Sequence, residues 1–596
     1  MEKYLKKINV FIKYIGSGGL CYIVDITLFA LLSLLLQNIF PINYILISTI
    51  CARLVSSIIN FILNKNKVFN NQNSKQKNTL DLTLNYALLV LVQMFMSAIL
   101  AEITFKLIGF SLVLIKFIVD CVILIVNYYI QKKYIFNNKY IRFKSIIKNI
   151  LCYIKENKLI CIILLISLAL HIGAFITLGF NYNLGSDDTS YIESGIYFKN
   201  NLSIIMHGVQ SAQIMPGMTY LIALVSYFFG EGFTLIVALK IIWMLMGILS
   251  ILGVYKITRL FSNKIFSSIA ASLMLVIDFV WMDNIILTET PFMFGFIFLI
   301  YSSIMLAKTQ DKKYFYEIII FYMFCLLLKA NIAPYPIFLI LYLLLKKYNT
   351  KLLLKQMLIA GIVLSMFFIP WIIRNYIVFD RFIPLTYGGG NPLLLGTYQG
   401  YDFPEDDEEA YNKYIEENYD EYDIMNKYLN DEMTEKLYMK KYYSLEKDGL
   451  IAKYRMKQWW NNNKISMLKS YLIYKPSVNI YNTFYWEEVF NIPGTFILKL
   501  RKIDIILTII CGISILLSRK HFKELLFLTV NYVFQIAVYS YTFAFDRYGQ
   551  TLLFIRFIII GIGLQVIYDF MKKIYKHCAL KFNIKQKANT IKEKKV

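Results

Sequence analysis

The chain has 596 residues, of which 58% are hydrophobic and only 17% charged. That balance excludes a soluble globule and fits a polytopic membrane protein. The net charge of +24 would suit nucleic-acid binding, but the lysines gather beside apolar runs, at 65–77, 132–158, 308–313, 346–355, 519–523 and 572–595; this is the positive-inside pattern, so the basicity encodes orientation and implies no nucleic-acid partner.

The first seven residues are basic and the apolar stretch after them is long enough to span, without a small-residue cleavage site, so no cleaved signal peptide is expected. Hydropathy predicts roughly 14 transmembrane helices, four and then ten, in an all-α protein with both termini cytoplasmic. Their limits are about 13–36, 43–63, 83–105, 110–130, 159–180, 233–257, 264–282, 292–308, 315–329, 332–346, 356–376, 502–518, 523–543 and 551–570. The pair at 315–346 is short, is interrupted by Lys329 and Pro334, and reads equally as a re-entrant hairpin. The loops left outside are 181–232, about 283–291, and 377–501. Between 377 and 497 lie 19 acidic against 13 basic residues, and an acidic outside agrees with a basic inside. All eight cysteines fall in spans or cytoplasmic segments. No disulfide framework or metal-type cysteine spacing follows.

The chain divides at a basic linker, 139–158, into an N-terminal domain, 1–138, and a larger domain, 159–571, followed by a basic tail, 572–596. The N-terminal domain contains an internal repeat. Asn60-Phe61-Ile62-Leu63-Asn64-Lys65-Asn66-Lys67-Val68-Phe69 is echoed 67 residues later by Asn127-Tyr128-Tyr129-Ile130-Gln131-Lys132-Lys133-Tyr134-Ile135-Phe136. Both copies close an outside-to-inside helix, so the repeat is parallel, with its axis along the membrane normal. Arg53 in the first copy has Asp120 at the same register in the second. A charge near a helix centre costs about 2.5–3.5 kcal/mol on insertion scales, so the two are expected to face each other. A structural ion pair and a substrate role both stay open for them, and Asp25 in the first span raises the same question.

Phe11-Ile12-Lys13-Tyr14-Ile15-Gly16, Asn60-Phe61 with Asn64-Lys65 and Val68-Phe69, and the echo at 127–136 resemble the GtrA-like family of four-span proteins. The resemblance implies movement of polyprenyl-phosphate-linked sugars across the membrane, with Asp25, Arg53, Asp120 and Asn60 as candidate translocation residues. A homo-oligomer formed through this domain stays open.

In the larger domain, Gly185-Ser186-Asp187-Asp188-Thr189-Ser190-Tyr191 begins the first outer loop. A carboxylate pair where a helix leaves the bilayer can ionise in water yet reach a substrate whose other end is lipid. The plainer reading is a helix cap by Ser186 and Asp187. Met215-Pro216-Gly217 precedes an amphipathic stretch at 218–230, Thr288-Glu289-Thr290-Pro291 fills the second outer loop, and Pro370-Trp371-Ile372-Ile373-Arg374-Asn375-Tyr376 precedes the long loop. Asp546-Arg547-Tyr548 stands at the last outer turn. Together these resemble GT-C-type glycosyltransferases, the architecture of protein O-mannosyltransferases and the lipid A aminoarabinose transferase. Asp187-Asp188-x-x-Tyr191 corresponds to that family's Asp-Glu/Asp-x-x-Tyr. The Lys-Pro of some relatives is Met215-Pro216 here, which puts a lipid-phosphate contact at that point in doubt.

The resemblance implies transfer of a sugar from a polyprenyl-phosphate donor to an envelope glycan, lipid or protein acceptor at the outer face. Such displacement needs a base for the acceptor hydroxyl and cations for the departing phosphate. Asp187 is the candidate base, with Asp188 orienting it or holding a cation. Glu289 is either a second carboxylate, bridged to the first by a divalent cation, or an ordinary helix start with Pro291 in the first turn. Tyr191 is a candidate substrate contact. For the phosphate, Lys329, Arg374 and Arg547 stand out as basic residues on the outer side, against the alternative of interfacial snorkelling. The 377–501 loop is expected to be a mainly helical outer subdomain. The rival reading is a lipid-linked sugar transporter without transferase activity, and neither sugar nor acceptor is named by the sequence.

Overall fold

The computed structural model describes residues 2–36, 44–68, 83–91, 93, 122–135, 152–430 and 436–593. The chain forms two compact units, Met1–Glu156 and Asn157–Val596. Both are helical, and among the described residues the sole sheet is a two-stranded ribbon pairing Ile205–Met206 with Val209–Gln210.

In the first unit the helix Glu2–Leu36 packs along Tyr44–Leu63. The latter runs into a π-helical turn, Asn64–Val68. The helix 122–130 likewise runs into a π turn, Gln131–Ile135, so the widened turns fall 67 residues apart, at one register of the repeat. Tyr14, Val68, Tyr86, Tyr128 and Ile135 form its core, with Phe11 and Phe61 against it. Ser56 Oγ donates to Asp25 Oδ1 at 3.0 Å. Asp120 and the Arg53 side chain, expected to pair, lie outside the described residues.

In the second unit five helices among the described residues are long and apolar enough to cross a membrane: Lys158–Leu178, Phe233–Arg259, Glu289–Thr309, Thr350–Phe379 and the segment Asp546–His577. The predicted total of 14 spans is therefore not what these helices establish. The predicted span 264–282 differs most. It breaks into Lys264–Ser272, a 3₁₀ turn at Leu273–Leu275 and a short helix Ile277–Met282, because Val276 is extended. The break buries Asp278, whose carboxylate pairs with Arg501 at 2.7 Å and accepts from Thr483 Oγ1. Arg501 also binds Asp504, which pairs with Arg556. Four buried charges of zero net sum thus tie this segment to the helices Gly494–Ser518 and Leu553–Glu593.

The segment 315–346 is a helix, Lys312–Leu328, a 3₁₀ turn at Ala330–Ile332 and a helix Tyr335–Leu345. Lys329 sits at the bend in extended conformation, its φ/ψ barring continuation of the first helix. Between 380 and 493 the backbone is mainly helical, with Leu437–Asn462 the longest element. Arg455 on that helix is fully buried and organises the subdomain. It binds Asp406 at 2.6 Å, Thr397 Oγ1 at 2.8 Å and the Pro404 carbonyl at 2.7 Å.

Candidate active site

The loop after Lys158–Leu178 is held rigidly before the acidic pair begins. Lys240, buried in Phe233–Arg259, donates to the carbonyl of Tyr182 at 2.7 Å and reaches that of Gly179 at 3.5 Å. Trp281 Nε1 donates to the Tyr182 hydroxyl at 3.1 Å. Asp188 closes the turn: its carboxylate accepts the backbone amides of Leu184 (2.6 Å), Ser186 (3.0 Å) and Thr189 (3.0 Å). The Thr189 amide, in the first turn of the helix Asp187–Asn201, is thereby satisfied, and the other two bonds fix the turn that precedes it. The capping expected of Ser186 and Asp187 belongs to Asp188 instead, since the Ser186 side chain makes no cap hydrogen bond.

Asp187 points elsewhere. Its Oδ2 accepts from Arg547 Nη2 at 2.8 Å, and its side chain keeps 29% exposure. Arg547, on the short helix Asp546–Gln550, also lies 3.7 Å from Glu289 through Nε. Glu289 starts the helix Glu289–Thr309 and is held by Lys329 at 2.9 Å. Thus Asp187, Arg547, Glu289 and Lys329, from four separate stretches of chain, form one alternating chain of charges with no net sum. Glu289 is 2% exposed and Lys329 12%. Asp187 is the open end of that chain of charges.

The floor is aromatic. Lys329 Nζ lies 5.0 Å from the Tyr548 ring and 5.6 Å from Phe292, while Tyr548 stacks on Tyr539 at 4.7 Å. Tyr191 is buried beside the cluster, and burial, with the nearby Asp187 carboxylate adding to it, pushes its phenol upward, so it remains a protonated donor. Asn331 braces the bend by donating to Gln535 and to the Tyr539 hydroxyl, both at 2.6 Å. Behind Glu289, Thr290 Oγ1 donates to Asp283 at 2.6 Å, and Asp283 meets His171 at 3.1 Å. Gly247 makes room for this: a Cβ there would stand 1.8 Å from the Asp283 carboxylate.

Of the residues singled out from the sequence, Asp187, Glu289, Lys329, Arg547 and Tyr191 come together. Arg374 does not join them. Its guanidinium donates to the Ser211 carbonyl at 3.0 Å and to Asn375 Oδ1 at 2.9 Å, over the Trp371 ring; it fastens the helix Thr350–Phe379 to the loop that carries the ribbon. Lys240, Tyr539, Asn331 and the His171–Asp283 pair carry no motif in the sequence, whereas Tyr548 belongs to the Asp546-Arg547-Tyr548 motif. An ionisable residue inside an apolar run was the available signal for Lys240 and Asp278. A divalent cation between Asp187 and Glu289 does not fit the donor set, because Arg547 occupies the position between them. Among the described residues no group of three or more His, Cys, Asp or Glu could hold a metal ion.

Comparison with known proteins divides the chain in the same way. Residues 13–136 match the GtrA/DPMS transmembrane domain, and residues 213–373 match dolichyl-phosphate-mannose-protein mannosyltransferase. The second match includes Glu289 and Lys329 and begins after Asp187. No curated protein matches the chain. Among solved structures, the archaeal oligosaccharyltransferase AglB from Archaeoglobus fulgidus, in complex with an inhibitory peptide and a dolichol-phosphate, aligns at 15% identity with a TM-score of 0.42. It covers 72% of this chain and 52% of that one, so the chain spans about half the length of the archaeal protein. ArnT from Cupriavidus metallidurans bound to undecaprenyl phosphate aligns at 12% identity and a TM-score of 0.31, covering 68% and 77%. The chain is thus a helical membrane protein in which a segment matching the GtrA/DPMS transmembrane domain precedes one matching dolichyl-phosphate-mannose-protein mannosyltransferases.

Proposed function

We propose that the protein is an integral membrane glycosyltransferase of the cell envelope that moves a sugar from a polyprenyl-phosphate donor to an envelope acceptor at the outer face. Its N-terminal domain delivers the lipid-linked sugar from the cytoplasmic side. The observation that carries the transferase reading is Arg547. Its Nε is buried without a hydrogen-bond partner among the described residues, although the side chain sits between two carboxylates. An unmet buried donor on a charged group is costly, and a phosphate oxygen would meet it. Lys329, partly accessible beside it, supplies a second cation.

In the proposed step, Asp187 takes the proton of the acceptor hydroxyl as that oxygen bonds to the anomeric carbon. The bond from that carbon to the phosphate oxygen breaks, and its electron pair leaves on polyprenyl phosphate, whose charge Arg547 and Lys329 stabilise. Attack opposite the leaving group inverts the anomeric centre. Glu289 keeps both cations in place without being exposed enough to compete for the acceptor. Donor binding draws Arg547 toward the phosphate and frees Asp187 to act as a base.

The test uses properly inserted protein in vesicles with a prenyl-phosphate sugar and an envelope fraction as acceptor. Asp187→Asn keeps size and most hydrogen bonding but cannot accept a proton at neutral pH. Turnover should fall about 10²–10⁴-fold while donor binding is largely retained. Near-normal turnover would remove Asp187 from the mechanism.

A further inference from the structure

The repeat of the N-terminal domain meets itself in space. Asn64 and Gln131 are equivalent positions, and Asn64 Nδ2 donates to Gln131 Oε1 at 3.1 Å. The same amide donates to Asn60 Oδ1 at 2.8 Å, Ser17 Oγ donates to Asn64 Oδ1 at 2.7 Å, and Gln131 Nε2 donates to the Tyr14 hydroxyl at 3.3 Å. The lysines that follow are also equivalent and stand over equivalent rings: Lys65 lies 5.9 Å from Phe61, and Lys132 lies 4.9 Å from Tyr128.

One member breaks the symmetry. Asn60 is bonded to Asn64, but its counterpart Asn127 has no hydrogen-bond partner among the described residues and is only 5% exposed. It lies one turn before Gln131, hence on the same helix face. The Asn64–Gln131 bond already suffices as a helix lock, so Asn127 is not needed for that.

We propose that Asn127 and the amide cluster around it form a binding site for the sugar moiety of a prenyl-phosphate-linked sugar, with Lys65 and Lys132 receiving its phosphate. The proposal rests on the reading of this domain as the one that handles the donor. An amide donates and accepts at once, as a sugar hydroxyl does. Being uncharged, it can wait in a membrane interior at less cost than a carboxylate. The lysine clusters that follow both copies place the site at the cytoplasmic end.

The full-length protein in lipid nanodiscs is photolabelled with a short-chain prenyl-phosphate glucose carrying a diazirine on the sugar, and the labelled peptides are mapped. Label is expected on the peptide around Asn127, displaced by unlabelled prenyl-phosphate glucose and far less by prenyl phosphate lacking the sugar. Asn127→Leu should reduce that label about tenfold, the loss of roughly one hydrogen bond to the ligand, and leave the melting temperature unchanged. Asn64→Leu, which breaks the lock, should lower the melting temperature and so calibrates a structural defect. Undiminished label in the Asn127 variant, equal competition by the sugar-free phosphate, or a fall in its melting temperature would overturn the proposal. Labelling is read without transport, so a chain that binds the probe here but delivers nothing would sink delivery while this site stood.

Discussion

Two neighbouring aspartates do different work because the turn between them points them apart. Asp188 is consumed by three backbone amides, whereas Asp187 shares a guanidinium with Glu289. Asp188→Asn would set an NH₂ against donors that need an acceptor. It should therefore lower thermal stability by about 1.5–3 kcal/mol, the range for hydrogen bonds to a charged group, without removing the base. Thermal melts of the two Asn variants separate the roles: a stability loss in Asp187→Asn equal to that in Asp188→Asn would contradict the division. Arg547→Lys keeps the charge but loses the planar fork that spans both carboxylates. Its donor affinity should fall well below wild type, which titration with a prenyl-phosphate sugar would measure. The sequence made the aspartates legible as a carboxylate pair just past an apolar span, and the cations as basic residues on the side that hydropathy predicts to be outer. It named Asp187 as the base but did not show Asp188 tied to backbone amides, and it could not tell Arg374 from Arg547. Those distinctions depend on which carbonyls and carboxylates the fold carries to each guanidinium.

At the level of elements, the base is held by a strapped loop. Lys240 grips two carbonyls of 179–186 from a neighbouring helix, and Trp281 grips Tyr182. Lys240→Met should loosen the strap, so limited proteolysis within 179–186 should quicken and turnover should fall, though less than in Asp187→Asn. The subdomain between 380 and 493 has a buried lysine of another kind. Lys475 lies 3.7 Å from the Tyr471 ring and donates to the Thr542 carbonyl, and burial lowers its ammonium pKa to about 7. The unfolded chain holds that proton up to the ordinary lysine value of 10.5, so between pH about 7 and 10.5 it binds more protons than the folded one. Stability from this group therefore rises with pH across that window. Lys475→Met should shrink the gain in melting temperature between pH 7 and pH 9.5, and an unchanged gain would rule Lys475 out as its source. Long apolar helices such as Lys158–Leu178 follow directly from hydropathy. The 264–282 segment did not, because continuous apolarity hides an extended residue at Val276, and the charge that stabilises the break comes from Arg501, 223 residues from Asp278.

At the scale of the molecule, the proposed function assigns the two units separate tasks and the outer site one side of the membrane. Cysteine placed at Glu193, an exposed position beyond the acidic pair, should react with impermeant thiol reagents on intact cells, and cysteine at Lys144 should not. Labelling at 144 alone would invert the topology and move the site to the wrong face. Removing residues 1–138 should spare transfer from donor supplied outside while abolishing its dependence on inward-facing donor in sealed vesicles.

The paired π turns carry a history. A π turn holds one residue more than the α-helical turn it replaces, as a single-residue insertion would leave it. Both copies hold theirs at the same register, and one insertion accounts for both if it came before the gene segment doubled. Then the ancestor was a two-helix hairpin, and the Asn64–Gln131 bond descends from a residue touching its own copy across a twofold axis. On that account the first domain would descend from a homodimer joined into one chain. Once fusion freed the halves to diverge, Asn60 could keep its internal bond while Asn127 lost it, an asymmetry that two identical chains on a strict twofold axis could not have held.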